Sequence, residues 1–381
     1  MEFRDLKKQY QVLKKEIDQA VVETMTEGHF IGGNPVDELE KELAEYVKAR
    51  HCITCGNGTD ALSLVLMAWN IGEGDAVFVP DFTFFATAEV VSFCGATPIF
   101  VDVEKETFNL DPEDLRKAIK EVQQAGKLIP KVIIPVDLFG LPANYPEITA
   151  IAKANNLLVL EDGAQGFGGE INGQKACSFA DAATTSFFPA KPIGCYGDGG
   201  AIFTDDDDLA EKLKSLKVHG KGSYKYDNVR IGINSRLDTI QAAILRVKFQ
   251  AFKEYELEAV NKVADKYREI LDKHFITPQI SEGYLSSYAQ FTLILDSSEQ
   301  REAIQNQLKE KNIPTMIYYP IPLNEQKAFA YLGNEIRQTK KTSELCQTVL
   351  SIPMHPYLTN QEIELVANTL IESKETWIKK Q

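Results

Sequence analysis

Basic residues are in the minority in this chain of 381 residues, where 41 Lys and Arg stand against 55 Asp and Glu for a formal net charge of −14. A nucleic-acid surface needs a basic stripe, so this balance argues against one. It leaves room for a small anionic ligand, because a phosphate site is built from local amides and a few donors. Long apolar runs are also missing, and no stretch is fit to span a bilayer. The opening MEFRDLKKQYQVLKKEI is charged and lacks the apolar core of a signal peptide, so the expected location is the cytoplasm. Cysteine is sparse: the six are scattered rather than spaced as a framework, which fits a compartment where thiols stay reduced. Cys52 and Cys55 make one CxxC pair, but with no second pair and no histidine set at ligand spacing neither a zinc site nor a redox role is expected. There is no internal repeat and no low-complexity linker.

What is present is the make-up of an ordinary globular protein, 44% hydrophobic and 25% charged, in a chain longer than one core usually serves. Two domains are expected, residues 1–250 and 251–381. Residues 5–27 carry Leu6, Tyr10, Leu13, Ile17, Ala20 and Val21 at helical spacing up to Gly28, and Asn34 before Pro35 reads as the cap of a second helix. Strand and helix signals then alternate. Strands are expected at 77–80, 97–101, 132–138 and 157–161, with helices at 59–69, 86–94, 112–123 and 145–155. That alternation predicts an α/β domain with a mainly parallel sheet, whose ligands gather at the carboxyl ends of strands, where Asp162 falls. From Ser235 a helical pattern runs to about His274 and is expected to join this domain to a smaller α+β domain, whose last helix starts with a Thr359–Glu362 capping box.

The stretch TTSFFPAKPIGCYGDGGAIFT places Lys191 in a loop stiffened by Pro189 and Pro192, between two short apolar strands. A lysine held at strand ends is a candidate Schiff-base nucleophile, since a desolvated amine shifts its pKa downward readily. Its companions are Asp162, Ser186 five residues upstream, and the turn Gly-Asn-Gly-Thr feeding a helix N-terminus, which offers amides and a positive dipole end to an anion. Pyridoxal phosphate (PLP) requires such a set: an amine for its aldehyde, a carboxylate to keep its ring nitrogen protonated, and amides and hydroxyls for its phosphate. Taken singly, each residue has a plainer reading. Lys191 could be a solvated loop lysine, Asp162 a turn cap, His355 a partner of a loop carbonyl, and Arg236 a partner of Asp238. Joint occurrence in this order favours the cofactor.

Nearly the whole chain resembles the DegT/DnrJ/EryC1/StrS sugar aminotransferases, fold-type I PLP enzymes. FRDLKKQY, GNGTDAL, PDFTFFATAE, LEDGAQGFG, SFFPAKPIGCYGDGGAIFT, GINSRLDTIQAA, YYPIPL and SIPMHPYL carry the resemblance. It is nearest to enzymes that aminate a 3-keto UDP-N-acetylglucosaminuronate for bacterial surface polysaccharides. The resemblance implies Lys191 as Schiff-base lysine and proton shuttle, Asp162 as partner of the ring nitrogen, Gln165 beside the ring hydroxyl and Phe84 on the ring face. It implies Gly58, Thr59 and Ser186 around the phosphate, with Asn234 reaching it from the other subunit of a homodimer with shared sites. Arg236, Tyr318, Tyr319 and His355 would face the substrate; at Tyr318 the nearest subgroup carries histidine, so the chain departs from it there. The implied reaction takes the amino group of L-glutamate through pyridoxamine phosphate (PMP) to a keto sugar nucleotide. Amination of a 4-keto sugar nucleotide, or a non-catalytic regulator on the same scaffold, are the other readings.

Overall fold

The computed structural model describes residues 1–224 and 226–380, without the side chains of residues 334 and 335. Gln381, the end of the expected second domain, lies outside the described residues. In chain order the first nine strands are β1 (His51–Cys55), β2 (Asp75–Pro80), β3 (Thr97–Val101), β4 (Ile129–Ile133), β5 (Leu158–Asp162), the short hairpin β6 (Glu170–Ile171) and β7 (Gln174–Lys175), then β8 (Ala182–Ser186) and β9 (Gly200–Thr204). Seven of them form one sheet in the order β1-β9-β8-β5-β4-β2-β3, in which only the pairings of β9 are antiparallel.

Helices cover this sheet on both faces, and that explains why its strands read as apolar at nearly every position. Ile53, Val77, Leu160 and Ile202 point into one core with Leu62 and Leu213 of the helices Gly58–Ala68 and Asp207–Leu216. Their neighbours point the other way. Cys52, Ala183 and Phe203 meet Leu39 and Leu43 of the helix Asn34–Val47, and Phe78 and Val159 meet Leu115 and Ile148. Cys52 and Cys55 accordingly sit on opposite faces of β1, as residues three apart on a strand must. They cannot join in a disulfide, and burial pushes both thiols up.

Beyond the sheet, β10 (Tyr284–Leu285) pairs with β6, while β11 (Phe291–Ile294) and β12 (Val349–Ile352) form an antiparallel pair. The helices Leu257–Leu271, Ser298–Glu310 and Asn360–Ile378 pack on that pair around their own core, which includes Tyr267, Leu293, Leu308 and Leu370. The capping box at Thr359 forms: Thr359 N donates to Glu362 Oε2 at 2.8 Å and Glu362 N to Thr359 Oγ1 at 3.3 Å.

Three expectations shift. Gly33, at φ 81°, takes the N-cap place expected of Asn34, with Pro35 in the first turn. The strand expected at 132–138 ends at Ile133, because Pro135 has no N–H to give; beyond it only a bridge from Val136 to Asp162 continues the ladder. The long helix starts at Thr239 rather than Ser235 and runs through a π-helical turn, Phe252–Glu256, to Leu271. Ser235 is committed elsewhere: its hydroxyl accepts from Gly56 N at 2.8 Å and donates to Asp60 Oδ2 at 2.6 Å.

The first residue of β9 controls how closely this sheet meets the helix Gly58–Ala68. A Cβ on Gly200 would stand 2.5 Å from the Asn57 carbonyl oxygen and 3.0 Å from Gly58 N, backbone atoms that cannot swing aside. Gly200→Ala is expected to lower stability by about 1–3 kcal/mol in urea unfolding. An unchanged midpoint would show that the contact yields freely.

Candidate active site

A cavity of about 790 Å³ opens where the carboxyl ends of β2, β4, β5 and β8 meet the start of the helix Gly58–Ala68. Gly58, Thr59, Phe84, Asp162 and Gln165 are in its wall, as are Ser186, Lys191, Tyr318 and Tyr319. Most of these converge because the strands of a parallel sheet deliver their ends to one edge, while Tyr318 and Tyr319 come from the segment that follows the helix Ser298–Glu310.

Asp162, 5% exposed, is the last residue of β5. Its Oδ2 accepts from Thr87 Oγ1 at 2.9 Å and its Oδ1 from Ala164 N at 3.2 Å. Burial pushes this carboxyl up, against those two donors and the nearby charge of Lys191. Lys191 shows the converse: burial lowers its ammonium, Asp162 raises it and Arg4 lowers it further. The loop that carries it is closed on itself, with Phe187 N donating to Gly199 O at 2.7 Å, Cys195 N to Phe187 O at 2.8 Å and Lys191 N to Phe188 O at 2.8 Å.

An anion cradle lies beside this pair. The Asn57 side chain caps the helix by accepting from Asp60 N at 2.7 Å, which leaves the amides of Gly58 and Thr59 at the positive end of the helix dipole without intrahelical partners. Ser186 Oγ faces them. Only glycine fits at position 58, because a Cβ there would stand 2.8 Å from Ser186 Cβ. Two amides, a hydroxyl, an amine and a carboxylate around one cavity make the donor set that suits a phosphate-bearing aromatic aldehyde, so the residues fit PLP. Gln165 bridges the far wall: its Oε1 accepts from Phe139 N at 2.8 Å and its Nε2 donates to Tyr319 OH at 3.2 Å. Phe84 is 56% exposed at the cavity.

Three expected residues are not in the wall. Asn234 and Arg236 are exposed, on the extended segment that Ser235 fastens beside Gly56 and Asp60. His355 is buried near Arg4 and Asp5, its Nδ1 accepting from Tyr357 N at 3.3 Å. Sequence reasoning missed Thr87, Asn57 and Arg4. Thr87 lies in the PDFTFFATAE motif, but its register against Asp162 is a tertiary fact; Asn57 could have been found from its cap position before Gly-Thr.

The chain belongs to the DegT/DnrJ/EryC1/StrS aminotransferase family, whose model matches residues 11–371. It is 44% identical to the UDP-2-acetamido-2-deoxy-3-oxo-D-glucuronate aminotransferase of Pseudomonas aeruginosa over 97% of this chain and 99% of that one. A solved DegT DnrJ EryC1 StrS aminotransferase from Brucella abortus is 45% identical, with a TM-score of 0.93 over 97% of this chain and 98% of that one. The structure of NtdA from Bacillus subtilis with bound cofactor PMP is 30% identical, with a TM-score of 0.83 over 95% of this chain and 82% of that one.

The buried histidine generates a test by pH. Burial pushes His355 down from 6.5 to about 4, so the folded chain holds it neutral where the unfolded chain would protonate it. Its contribution to stability is therefore intact above pH 6.5 and is lost as pH falls toward 4, by up to about 3 kcal/mol. Between pH 7.5 and 4.5 the parent should lose about 2–3 kcal/mol more than His355→Phe in urea unfolding. Equal losses would show that the folded chain protonates His355 as readily as the unfolded one.

Proposed function

We propose that this chain is a PLP-dependent aminotransferase that moves the amino group of L-glutamate to C3 of UDP-2-acetamido-2-deoxy-3-oxo-D-glucuronate, in the cytoplasm, for a bacterial surface polysaccharide such as O-antigen. The observation that carries the reading is Lys191 and Asp162 lining one cavity beside the Gly58–Ser186 cradle. The 44% identity to the Pseudomonas aeruginosa enzyme supports the choice of sugar. In this reading residues 1–250 carry the cofactor and residues 251–381 form the smaller domain.

When bound, PLP supplies an aldehyde that carries an amino group from one substrate to the other by way of PMP, and a ring that takes up the electron pair released at the substrate carbon. The amides of Gly58 and Thr59 and the Ser186 hydroxyl hold its phosphate. Asp162, oriented by Thr87 and the Ala164 amide, keeps a proton on the ring nitrogen. Phe84 covers the ring and Gln165 lies beside its hydroxyl. Lys191 would supply the amine that tethers the aldehyde, and that amine when free would take the proton from the donor's α-carbon and deliver it on the cofactor's side, the reverse transfer serving the sugar. Burial and Arg4 lower its pKa against Asp162, which favours the form that can accept a proton. Tyr318 and Tyr319 face the nucleotide sugar, and His355 steadies the N-terminal segment behind them.

The site is shared between two copies. Asn234 and Arg236 are exposed beside the cavity's helix, near exposed apolar residues that a twofold partner would cover: Val229 at 53% and Ile231 at 89%. Asn234 of the partner copy then reaches the phosphate, and Arg236 the C6 carboxylate of the sugar in a bidentate pair.

The PLP-loaded protein with glutamate should aminate the 3-keto uronate in a panel of 3-keto and 4-keto UDP and dTDP sugars, with products identified by mass spectrometry and NMR. Lys191→Ala should lose more than the ~10²–10⁴-fold typical of a general base, and Arg236→Ala should weaken the uronate by about 2–5 kcal/mol while sparing a C6-methyl sugar. Turnover of a 4-keto sugar alone would move the substrate assignment, and no turnover with glutamate bleaching no visible band would favour a regulator. The shared site has its own test: Lys191→Ala mixed with Asn234→Asp should regain about a quarter of parent activity if chains pair at random in a closed dimer. No gain, with hybrid dimers seen by native mass spectrometry, would put both residues in one chain's site.

A further inference from the structure

The motif FRDLKKQY has so far been given no chemical task. Its arginine reaches across the fold to the loop that carries Lys191. Arg4 Nη2 donates to the Lys191 carbonyl at 2.7 Å and lies 3.3 Å from the Pro192 carbonyl oxygen. The arm around it is fastened at several points. Asp5 caps the first helix by accepting from Lys8 N at 2.8 Å, Met354 N donates to the Phe3 carbonyl at 3.2 Å, and the Phe3 ring meets Tyr318 edge-on at 6.2 Å between centroids. One short arm therefore touches the lysine loop, the aromatic wall of the cavity and the core next to His355.

We propose that Arg4 is a positioning residue for Lys191, holding the two successive carbonyls of its loop and setting a permanent cation behind its amine. The proposal rests on the assignment of Lys191 above. Both carbonyls are met by one nitrogen, Nη2, whose two N–H groups are fixed in the guanidinium plane, and the group stays charged when buried. An ammonium of the same charge is a point on a flexible four-carbon stem with freely rotating donors, so Arg4→Lys removes the fixed planar geometry and keeps the charge.

The electrostatics agree with the geometry. Lys191 is lowered first by its own burial and then by Arg4, against Asp162. Burial lowers Arg4, against Glu256 and Tyr357, and burial lowers Lys248 and His355 with a further lowering from Arg4. Glu256, whose Oε1 accepts from Gln9 Nε2 at 2.8 Å and from the Tyr357 hydroxyl, offsets part of the charge of Arg4. Of the charges on this arm and its neighbours, it is that of Arg4 that acts on Lys191.

The test uses the full chain without cofactor, in parent, Arg4→Lys and Arg4→Gln forms. Hydrogen exchange by mass spectrometry should show residues 188–197 opening about tenfold more often in both variants, the loss of one charge-assisted hydrogen bond. The pH profile of Lys191 modification by cyanate, read on its peptide, should move to higher pH in Arg4→Gln, so that below the midpoint the rate falls about tenfold. In Arg4→Lys, which keeps the charge, that profile should stay in place. Unchanged exchange in residues 188–197, or an unmoved profile in Arg4→Gln, overturns the proposal. A merely structural arginine would lower the unfolding midpoint and leave the profile where it is. Should Arg4→Gln fail to fold, Arg4→Met repeats the charge arm, and Arg4→Lys alone decides the exchange arm. Both readouts are made without cofactor or substrate, so a failed amination assay leaves them standing, and their failure leaves the amination reading standing.

Discussion

The rest of the structure depends on one opposition: burial disfavours the charge on both Asp162 and Lys191, and each supports the charge of the other. An isolated charge in such a pocket would neutralise itself by shifting its pKa. Here the carboxylate is kept by two donors, the Thr87 hydroxyl and the Ala164 amide, whereas burial and Arg4 lower the amine against the charge of Asp162. A basic amine beside a held carboxylate is what proton transfer at carbon needs.

The sheet makes that opposition possible. β5 delivers Asp162 and β8 delivers Ser186 to the same edge because both run parallel, and the antiparallel β9 brings the Lys191 loop back over them. The opposite wall is tied to the sheet as well. Asp81, just beyond β2, accepts from Asn324 N at 2.7 Å through its side chain and from Leu323 N at 3.1 Å through its carbonyl, so the segment after Tyr319 is pinned next to the cavity. Burial raises the Asp81 carboxyl to about 7 despite the Thr339 hydroxyl and the Asn324 amide that donate to it.

Much of this was legible in the sequence, for physical reasons that differ by element. Helix ends with local signals were found where the signal is self-contained: Gly28 takes the left-handed position that ends the first helix, and Thr359 and Glu362 close on each other within one turn. Asp162 was placed at the ligand edge because an apolar run must end where the sheet ends. The start of the long helix was missed because Ser235 bonds to residues 179 and 175 positions away, which no local pattern encodes. Arg4 was missed for the same reason, its acceptors lying 187 and 188 residues along the chain. For Asn234 the resemblance implied a second copy of the chain and for Arg236 a place facing the substrate; both side chains are exposed in the single chain.

The central claim is that the carboxylate of Asp162 holds a proton on the ring nitrogen of the cofactor. It is tested most directly by 15N NMR of protein loaded with PLP labelled at that nitrogen, in the parent and in Asp162→Asn at the same neutral pH. The account predicts the chemical shift of a protonated ring nitrogen in the parent and of an unprotonated one in the variant. A protonated shift in both, or an unprotonated shift in the parent, would contradict it.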